Sequence, residues 1–150
     1  MNLLSRRSVL AIAAVVDVAL HSRAAPVAAK TLAARHKLPS RHLDTLLPGL
    51  VQAKILKAMR GPRGGYELAR EHQRITVGEI VRTAMSLSTG DPDDLGSNSV
   101  LLERVIEPAV RRAGETFLAN LDAITVEQMC ETAEKTHVLD HEKVSGDFAI

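Results

Sequence analysis

The fold is decided by residues 55–70, which run ILKAMRGPRGGYELAR. Two short arms with alternating apolar residues flank a Gly-Pro-Arg-Gly-Gly tip, a pattern that predicts a β-hairpin. Arg60 and Arg63 lie around the turn. A tip that carries guanidinium groups and little side-chain bulk fits a narrow groove lined by phosphates. Because three short helical segments precede the hairpin, the stretch predicts the wing of a winged helix-turn-helix that binds DNA.

The distribution of charge supports this prediction. Residues 1–76 hold 13 Lys and Arg against four Asp and Glu, a net charge of +9, whereas residues 77–150 hold six against 14, a net charge of −8. A basic half suits a polyanion, because each neutralised phosphate releases counterions. The alternative is that surface charge simply drifts along the chain. On the first interpretation, the acidic half faces away from the nucleic acid.

Composition narrows the class of protein. At 150 residues the chain fits one domain or a small domain with an appended element. With two Phe, one Tyr and no Trp, its core must consist largely of Ala, Leu, Val and Ile, which favours helices over a β-sandwich. The single Cys130 excludes an intrachain disulfide and cannot alone form a zinc site. No apolar run is long enough to cross a membrane once Asp17 is counted.

The N-terminus has the outline of an export signal. Arg6 and Arg7 precede a largely apolar segment, and residues 23–26 (RAAP) resemble a cleavage site. However, Asp17 interrupts the segment, and its apolar residues follow a helical period rather than a continuous run. We therefore expect a first helix of a cytoplasmic protein, with export as the alternative. The apolar face of that helix is predicted from a set of five residues: Val9, Ile12, Ala13, Val16 and Leu20.

The remaining pattern is mainly α. We expect residues 1–87 to form the DNA-binding domain, 88–99 a flexible acidic loop, 100–135 the dimerisation helices and 136–150 a tail. The expected helices cover residues 8–21, 27–36, 40–51, 77–87, 100–123 and 125–135. The third of them would be the recognition helix.

Four stretches resemble a known family. They are VDVALH at 16–21, RHLD at 41–44, RGPRGGYELAR at 60–70 and ITVGEIV at 75–81. Together they are similar to the Rrf-two (Rrf2) family of bacterial transcription regulators, over about residues 5–135. The resemblance implies a winged helix-turn-helix and a long C-terminal helix that crosses that of a partner in a homodimer. It also implies a pseudo-palindromic operator.

The chain departs from the family pattern in two places. Members that bind an iron–sulfur cluster place three cysteines in the loop before the long helix, whereas residues 88–99 contain none. The carboxylates and hydroxyls found there are hard ligands that suit such a cluster poorly, so we expect no cofactor. Pro48 lies inside the predicted third helix, where it should bend or end the helix near Leu47. Lys54 replaces the usual glycine after that helix, which predicts an atypical helix exit.

Candidate DNA contacts follow from these elements. Arg63 should contact the minor groove or a phosphate, with a solvated turn residue as the alternative. Arg60 should anchor a phosphate, or else pair with Glu67 across the hairpin.

The start of the third helix supplies the candidates for the major groove. Arg41, His42 and Thr45 would face base edges there, unless they form an ordinary exposed face. Asp44 would accept a hydrogen bond from a cytosine amino group, or would orient Arg41 or Arg60.

The C-terminal half supplies the remaining candidates. Four apolar residues of the long helix are expected at a dimer interface: Val105, Phe117, Leu118 and Leu121. Cys130 should be a buried structural thiol, with a redox sensor as the alternative. The sequence therefore predicts a DNA-binding repressor without catalytic activity, whose effector is left open. The rival hypothesis is a winged-helix module that binds an acidic protein.

Overall fold

The computed structural model describes residues 3–87 and 99–137. Its elements confirm the predicted fold class, a mainly α protein with one antiparallel β-hairpin. In chain order they are α1 (Arg6–His21), α2 (Ala29–Arg35), a 3-10 turn (Ser40–His42), α3 (Leu46–Gln52), β1 (Leu56–Met59), β2 (Gly65–Leu68), a second 3-10 turn (His72–Arg74), α4 (Val77–Ser86), a π-helical segment (Leu102–Ile106), α5 (Glu107–Asp122) and α6 (Val126–Lys135). The predicted loop at 88–99, except its last residue, and most of the predicted tail at 136–150 lie outside the described residues.

Helix α1 forms the centre of the core. It begins where the Ser5 hydroxyl accepts a hydrogen bond from the Ser8 amide at 3.1 Å. It packs against α4 and α6. Its fully buried apolar residues are Ala11, Ala14, Val15 and Val18. The small alanines allow the neighbouring helices to approach closely, so the buried face is rotated from the one that the sequence predicted, and Val9 is 41% exposed.

The predicted third helix is wrong in its first half. Residues 40–45 form a 3-10 turn and a further turn, and the α-helix begins only at Leu46. Pro48 explains the difference, because it then stands in the first helical turn, where a backbone N–H needs no partner within the helix. The predicted early end near Leu47 is wrong for the same reason, since α3 continues to Gln52.

The exit of α3 is regular, which contradicts the atypical exit predicted from Lys54. Lys54 adopts a left-handed conformation with φ 61°. The amide of Ile55 donates to Leu50 O and that of Lys54 donates to Val51 O, both at 3.0 Å. This is the Schellman motif that usually carries glycine. A lysine therefore occupies a glycine conformation without changing the path of the chain.

The hairpin is attached to the segment before α2. Leu56 faces Leu68 and Lys57 faces Glu67 in the antiparallel register. Val27 and Tyr66 exchange two backbone hydrogen bonds of 2.9 and 2.8 Å, so residue 27 belongs to a β-bridge and α2 starts at Ala29 rather than at 27. A Cβ at Gly65 would lie 2.5 Å from the carbonyl carbon of Val27, so this contact requires glycine.

The C-terminal helix returns to the first half of the chain. Val77 N donates to Ile124 O at 2.8 Å, and Val126 N donates to Ile75 O at 2.9 Å. Thr76 and Thr125 each cap a helix through a capping box, at α4 and α6 respectively. Helix α6 therefore packs on the DNA-binding half, and α5 before it contacts α4.

The long C-terminal helix differs in detail from the predicted 100–123. The chain is helical from residue 100 to Asp122, but residues Leu102–Ile106 are π-helical. The amide of Glu107 donates to the carbonyl of Leu102, five residues earlier. Side chains five residues apart therefore come onto one side of the helix in this segment.

Candidate nucleic-acid interface

The hairpin tip presents two arginines to solvent. Arg60 and Arg63 are both exposed, and neither forms an ion pair within the part of the chain that the structure describes. Glu67 instead pairs with Lys57 at 3.3 Å, so the alternative pairing of Arg60 with Glu67 does not occur. Gly64 N donates to Gly61 O at 2.9 Å and closes a narrow turn. The tip therefore combines little bulk with two cationic groups.

The turn before α3 holds the other four predicted contacts. Arg41, His42, Asp44 and Thr45 are all exposed, while Leu43 between them is buried and anchors the turn in the core. Among the described residues the Asp44 carboxylate has no hydrogen-bond partner, so it orients neither Arg41 nor Arg60 there. The turn thus presents polar groups from a compact loop rather than from two turns of helix.

The start of α1 lies beside this turn. Arg7 Nη2 donates to the hydroxyl of Thr45 at 3.1 Å and so joins α1 to the turn. A cavity of about 560 Å³ lies between the two segments. It is lined by Arg6, Arg7, Val9, Leu10, Ala13, His36, Leu38, Arg41, His42 and Thr45.

The arginines of the basic half fall into two groups. Four of the nine in residues 1–76 are paired with a carboxylate: Arg23 with Glu134, Arg35 with Asp17, Arg70 with Glu79 and Arg74 with Glu71, at 3.9, 2.8, 3.0 and 3.6 Å. The other five have no carboxylate partner within the described residues: Arg6, Arg7, Arg41, Arg60 and Arg63. They lie at the start of α1, in the turn before α3 and on the wing.

Sequence reasoning missed Arg6 and Arg7 as members of this group, because it compared them with an export signal. One signal could have identified them. The first acidic residue of the chain is Asp17, so nothing nearby in sequence neutralises them.

The buried carboxylate of Asp17 joins the end of α2 to α1. The Asp17 carboxylate accepts two hydrogen bonds from Arg35, at 2.9 and 2.8 Å, and one from His36 Nε2 at 2.9 Å. His21 Nδ1 lies 3.2 Å from the same carboxylate. Burial would raise the pKa of Asp17, but the hydrogen bonds from His36 and Arg35 and the charges of Arg35 and His21 outweigh it and lower that pKa. Asp17 therefore stays ionised and fixes the end of α2 to α1.

The predicted dimerisation residues do not share one environment. Val105 is 58% exposed, whereas Phe117, Leu118 and Leu121 are half-buried within the chain itself. The other exposed apolar residues of the region lie around Val105: Val100, Leu101, Ile106 and Val110.

Cys130 is buried on the inner face of α6. Burial raises the pKa of its thiol, and the charges of Glu134 and Glu127 raise it further against the opposing effect of Arg23. A thiol that resists ionisation reacts poorly, so this environment favours the structural alternative over the redox sensor.

Comparison with known proteins decides the family. Residues 4–132 match the Rrf2 family, described as iron-dependent transcriptional regulators. The chain belongs to the Rrf2 family. This Rrf2 protein is a DNA-binding transcriptional regulator with a winged-helix fold, and it is not an enzyme.

Individual relatives agree with this assignment. A helix-turn-helix-type transcriptional regulator of Synechocystis is 32% identical over 124 residues, which cover 82% of this chain and 84% of that protein. IscR of Xenorhabdus nematophila is 29% identical over 134 residues, 88% of this chain and 81% of that protein. The solved structure of T. potens IscR superposes with a TM-score of 0.70 at 29% identity, covering 89% of each chain.

The residues of this Rrf2 protein do not fit an iron–sulfur cluster. Such clusters are held by several cysteine thiolates, and the whole sequence contains one cysteine. That cysteine is buried in α6, and its thiol pKa is raised. Within the described residues, no three His, Cys, Asp or Glu side chains are grouped so that they could hold a metal ion. In the same residues, none of the helices has both the length and the apolar character needed to span a membrane.

Proposed function

We propose that this Rrf2 regulator binds a pseudo-palindromic operator as a homodimer and represses transcription by occupying promoter DNA. The observation that carries the proposal is the set of unpaired arginines on the wing and in the turn before α3. A charged arginine without a carboxylate partner is available to a phosphate, and each phosphate that it neutralises releases counterions.

The two cationic elements would have different tasks. Arg60 and Arg63 on the narrow wing would enter the minor groove or hold a phosphate. Arg41, His42, Asp44 and Thr45 would lie in the major groove, where Asp44 can accept a hydrogen bond from a cytosine amino group. Phosphate contacts fix the position on the duplex, while base contacts select the sequence.

The exposed apolar residues before α5 support the homodimer. Five apolar residues are exposed within one short segment, here called the apolar patch, and exposed apolar patches mark interaction sites: Val100, Leu101, Val105, Ile106 and Val110. A second copy would bury this patch symmetrically and place the two turns before α3 about 34 Å apart, one turn of DNA. Residues 1–87 would then act as the DNA-binding domain and residues 100–135 would include the dimerisation segment. Since bacterial DNA lies in the cytoplasm, we also propose that the protein is cytoplasmic.

The test is Arg63→Ala. The affinity for specific and for random duplex DNA should fall by the same factor, and the slope of log affinity against log salt should decrease by about one for each subunit of the dimer. Arg74→Ala is the matched control, because it removes the same charge from an arginine that pairs with Glu71. An unchanged slope in Arg63→Ala would remove the wing tip from the interface. Tight binding to an acidic protein, without any affinity for DNA, would support the protein-binding module instead.

A further inference from the structure

We propose that the cavity between the start of α1 and the turn before α3 is a second binding site for a DNA backbone phosphate, formed by Arg6 and Arg7 together with Arg41. This inference rests on the proposed function and adds a contact on a different element from the wing. Its ligand is a phosphodiester of the DNA that the turn reads.

The cavity lies next to the turn that is proposed to contact DNA. Arg6, Arg7 and Arg41 line the same space of about 560 Å³, together with His42 and Thr45 from the turn. The hydrogen bond from Arg7 to Thr45, 3.1 Å long, holds the first turn of α1 against the turn before α3. A duplex that contacts Arg41 and His42 would therefore come close to Arg6 and Arg7 as well.

The electrostatic potential in the cavity is expected to be positive. No carboxylate lines the cavity, and within the described residues none pairs with its three arginines. The N-terminal turn of α1 contains no acidic residue, and the positive end of the helix dipole adds to the same potential. Backbone amides at a helix start also favour phosphate. Three guanidinium groups around one space without a lining carboxylate favour the binding of an anion.

The cavity wall indicates which anion fits. Val9, Leu10 and Leu38 add apolar surface beside the arginines. A nucleotide of the backbone presents a charged phosphate next to the apolar face of its deoxyribose, so one nucleotide matches both kinds of wall. Val9, with 41% of its surface exposed, is an apolar residue left open at this position.

The experiment measures the salt dependence of DNA binding for Arg6→Ala in the full chain. Arg6 is exposed, so its removal should leave folding intact, which circular dichroism during thermal unfolding can verify. At 0.1 M salt the affinity should fall about eightfold, and the salt slope by about one, for each subunit of the dimer on specific and random duplexes alike, because each subunit loses one phosphate contact. The double variant Arg6→Ala/Arg7→Ala should lower the slope no further, because both arginines hold the same phosphate.

Further measurements distinguish a DNA phosphate contact from a general effect of charge and from a site for a free anion. Arg74→Ala, the same charge change at a carboxylate-paired arginine, should leave the slope unchanged. Ethylation of individual phosphates should interfere with binding at one position per half-site in the wild type and no longer in Arg6→Ala. Inorganic phosphate at constant ionic strength should not compete with DNA, and competition by millimolar phosphate would overturn the proposal in favour of a site for a free anion.

Failure here can be told from failure of the proposed function. If Arg63→Ala lowers the slope but Arg6→Ala does not, DNA binding stands and the second phosphate site is excluded. If the wild type binds no DNA at all, both proposals fall.

Discussion

Asp17 brings a negative charge into the core, with 4% of its surface exposed. Taking an ion out of water costs several kcal/mol, which only close partners can offset. Arg35 supplies two hydrogen bonds and His36 a third, from positions 18 and 19 residues further along the chain. These contacts hold α2 against α1, and His36 also lines the cavity next to Arg41. The ion pair thus connects the core to the proposed DNA-binding surface.

We expect Asp17→Asn to lower the free energy of unfolding by about 1–3 kcal/mol at pH 7, because it removes the counter-ion of the half-buried Arg35 and a charged acceptor of three hydrogen bonds. The pKa of Asp17 is lower in the folded than in the unfolded chain. Its stabilising effect is therefore full above the unfolded value of about 3.9 and is lost as pH falls through the folded value. Denaturant titrations of both proteins from pH 7 to pH 2.5 would measure this.

Glu67→Gln is the control for that series. It removes a carboxylate from the exposed pair with Lys57, and exposed pairs contribute little. If Asp17→Asn costs no more than Glu67→Gln, or if the difference between wild type and Asp17→Asn does not shrink at acidic pH, the proposed role of Asp17 is wrong.

At the scale of elements, local chemistry settles where helices begin and end. Pro48 moves the start of α3 to Leu46, so the polar residues before it form a turn that exposes their side chains. Lys54 closes the same helix in a left-handed conformation. A side chain other than glycine is strained there, because Cβ crowds the backbone. The helix that follows the predicted DNA contacts is thus short and ends with residual strain.

Lys54→Gly should raise the free energy of unfolding by about 0.5–1 kcal/mol, since relief of that strain exceeds the added freedom of the unfolded chain. Ala53→Gly is the matched control. Ala53 precedes Lys54 and has φ −76°, so glycine there should lower the free energy of unfolding by a similar amount. Chemical denaturation of the three proteins measures both changes, and a loss of stability in Lys54→Gly would contradict the assignment of strain.

The wing and the helix-turn-helix could be predicted from sequence because their signals are local. The Gly-Pro-Arg-Gly-Gly tip and the capping residue Thr76 determine structure within a few residues. The 3-10 turn at Ser40–His42 was missed because leucine spacing alone cannot show where Pro48 sets the helix start. The contact of Arg7 with Thr45, on which the proposed role of Arg6 and Arg7 depends, was missed because the two residues are 38 apart in sequence.

At the scale of the whole molecule, the arginines without a carboxylate partner among the described residues and the exposed apolar patch lie on different segments of the chain. The unpaired arginines of the basic half surround the wing and the turn before α3, while the exposed apolar patch lies on the segment that leads into α5. That segment contains the π-helical residues Leu102–Ile106, and Val110 follows in the first turns of α5. We therefore expect the second copy to bind at this patch rather than at Phe117, Leu118 and Leu121.

Val110→Glu should convert a dimer into a monomer at micromolar concentration, because it places a charge in the apolar patch. Val110 is 65% exposed in the single chain, so the substitution should not disturb folding. Leu3→Glu is the matched control. Leu3 is an apolar residue outside the patch with similar exposure, so this variant should remain a dimer. Light scattering gives the mass of each protein, and a wild type with the mass of a single chain would refute the dimer.

The most direct test of the central claim is selection of DNA by the purified full-length chain. The protein is incubated with a pool of random-sequence duplexes at moderate salt, and the bound fragments are separated and sequenced. We expect the bound fragments to share a motif of two inverted half-sites whose centres lie about 34 Å, or roughly ten base pairs, apart. Bound fragments with the same sequence content as the starting pool would contradict it.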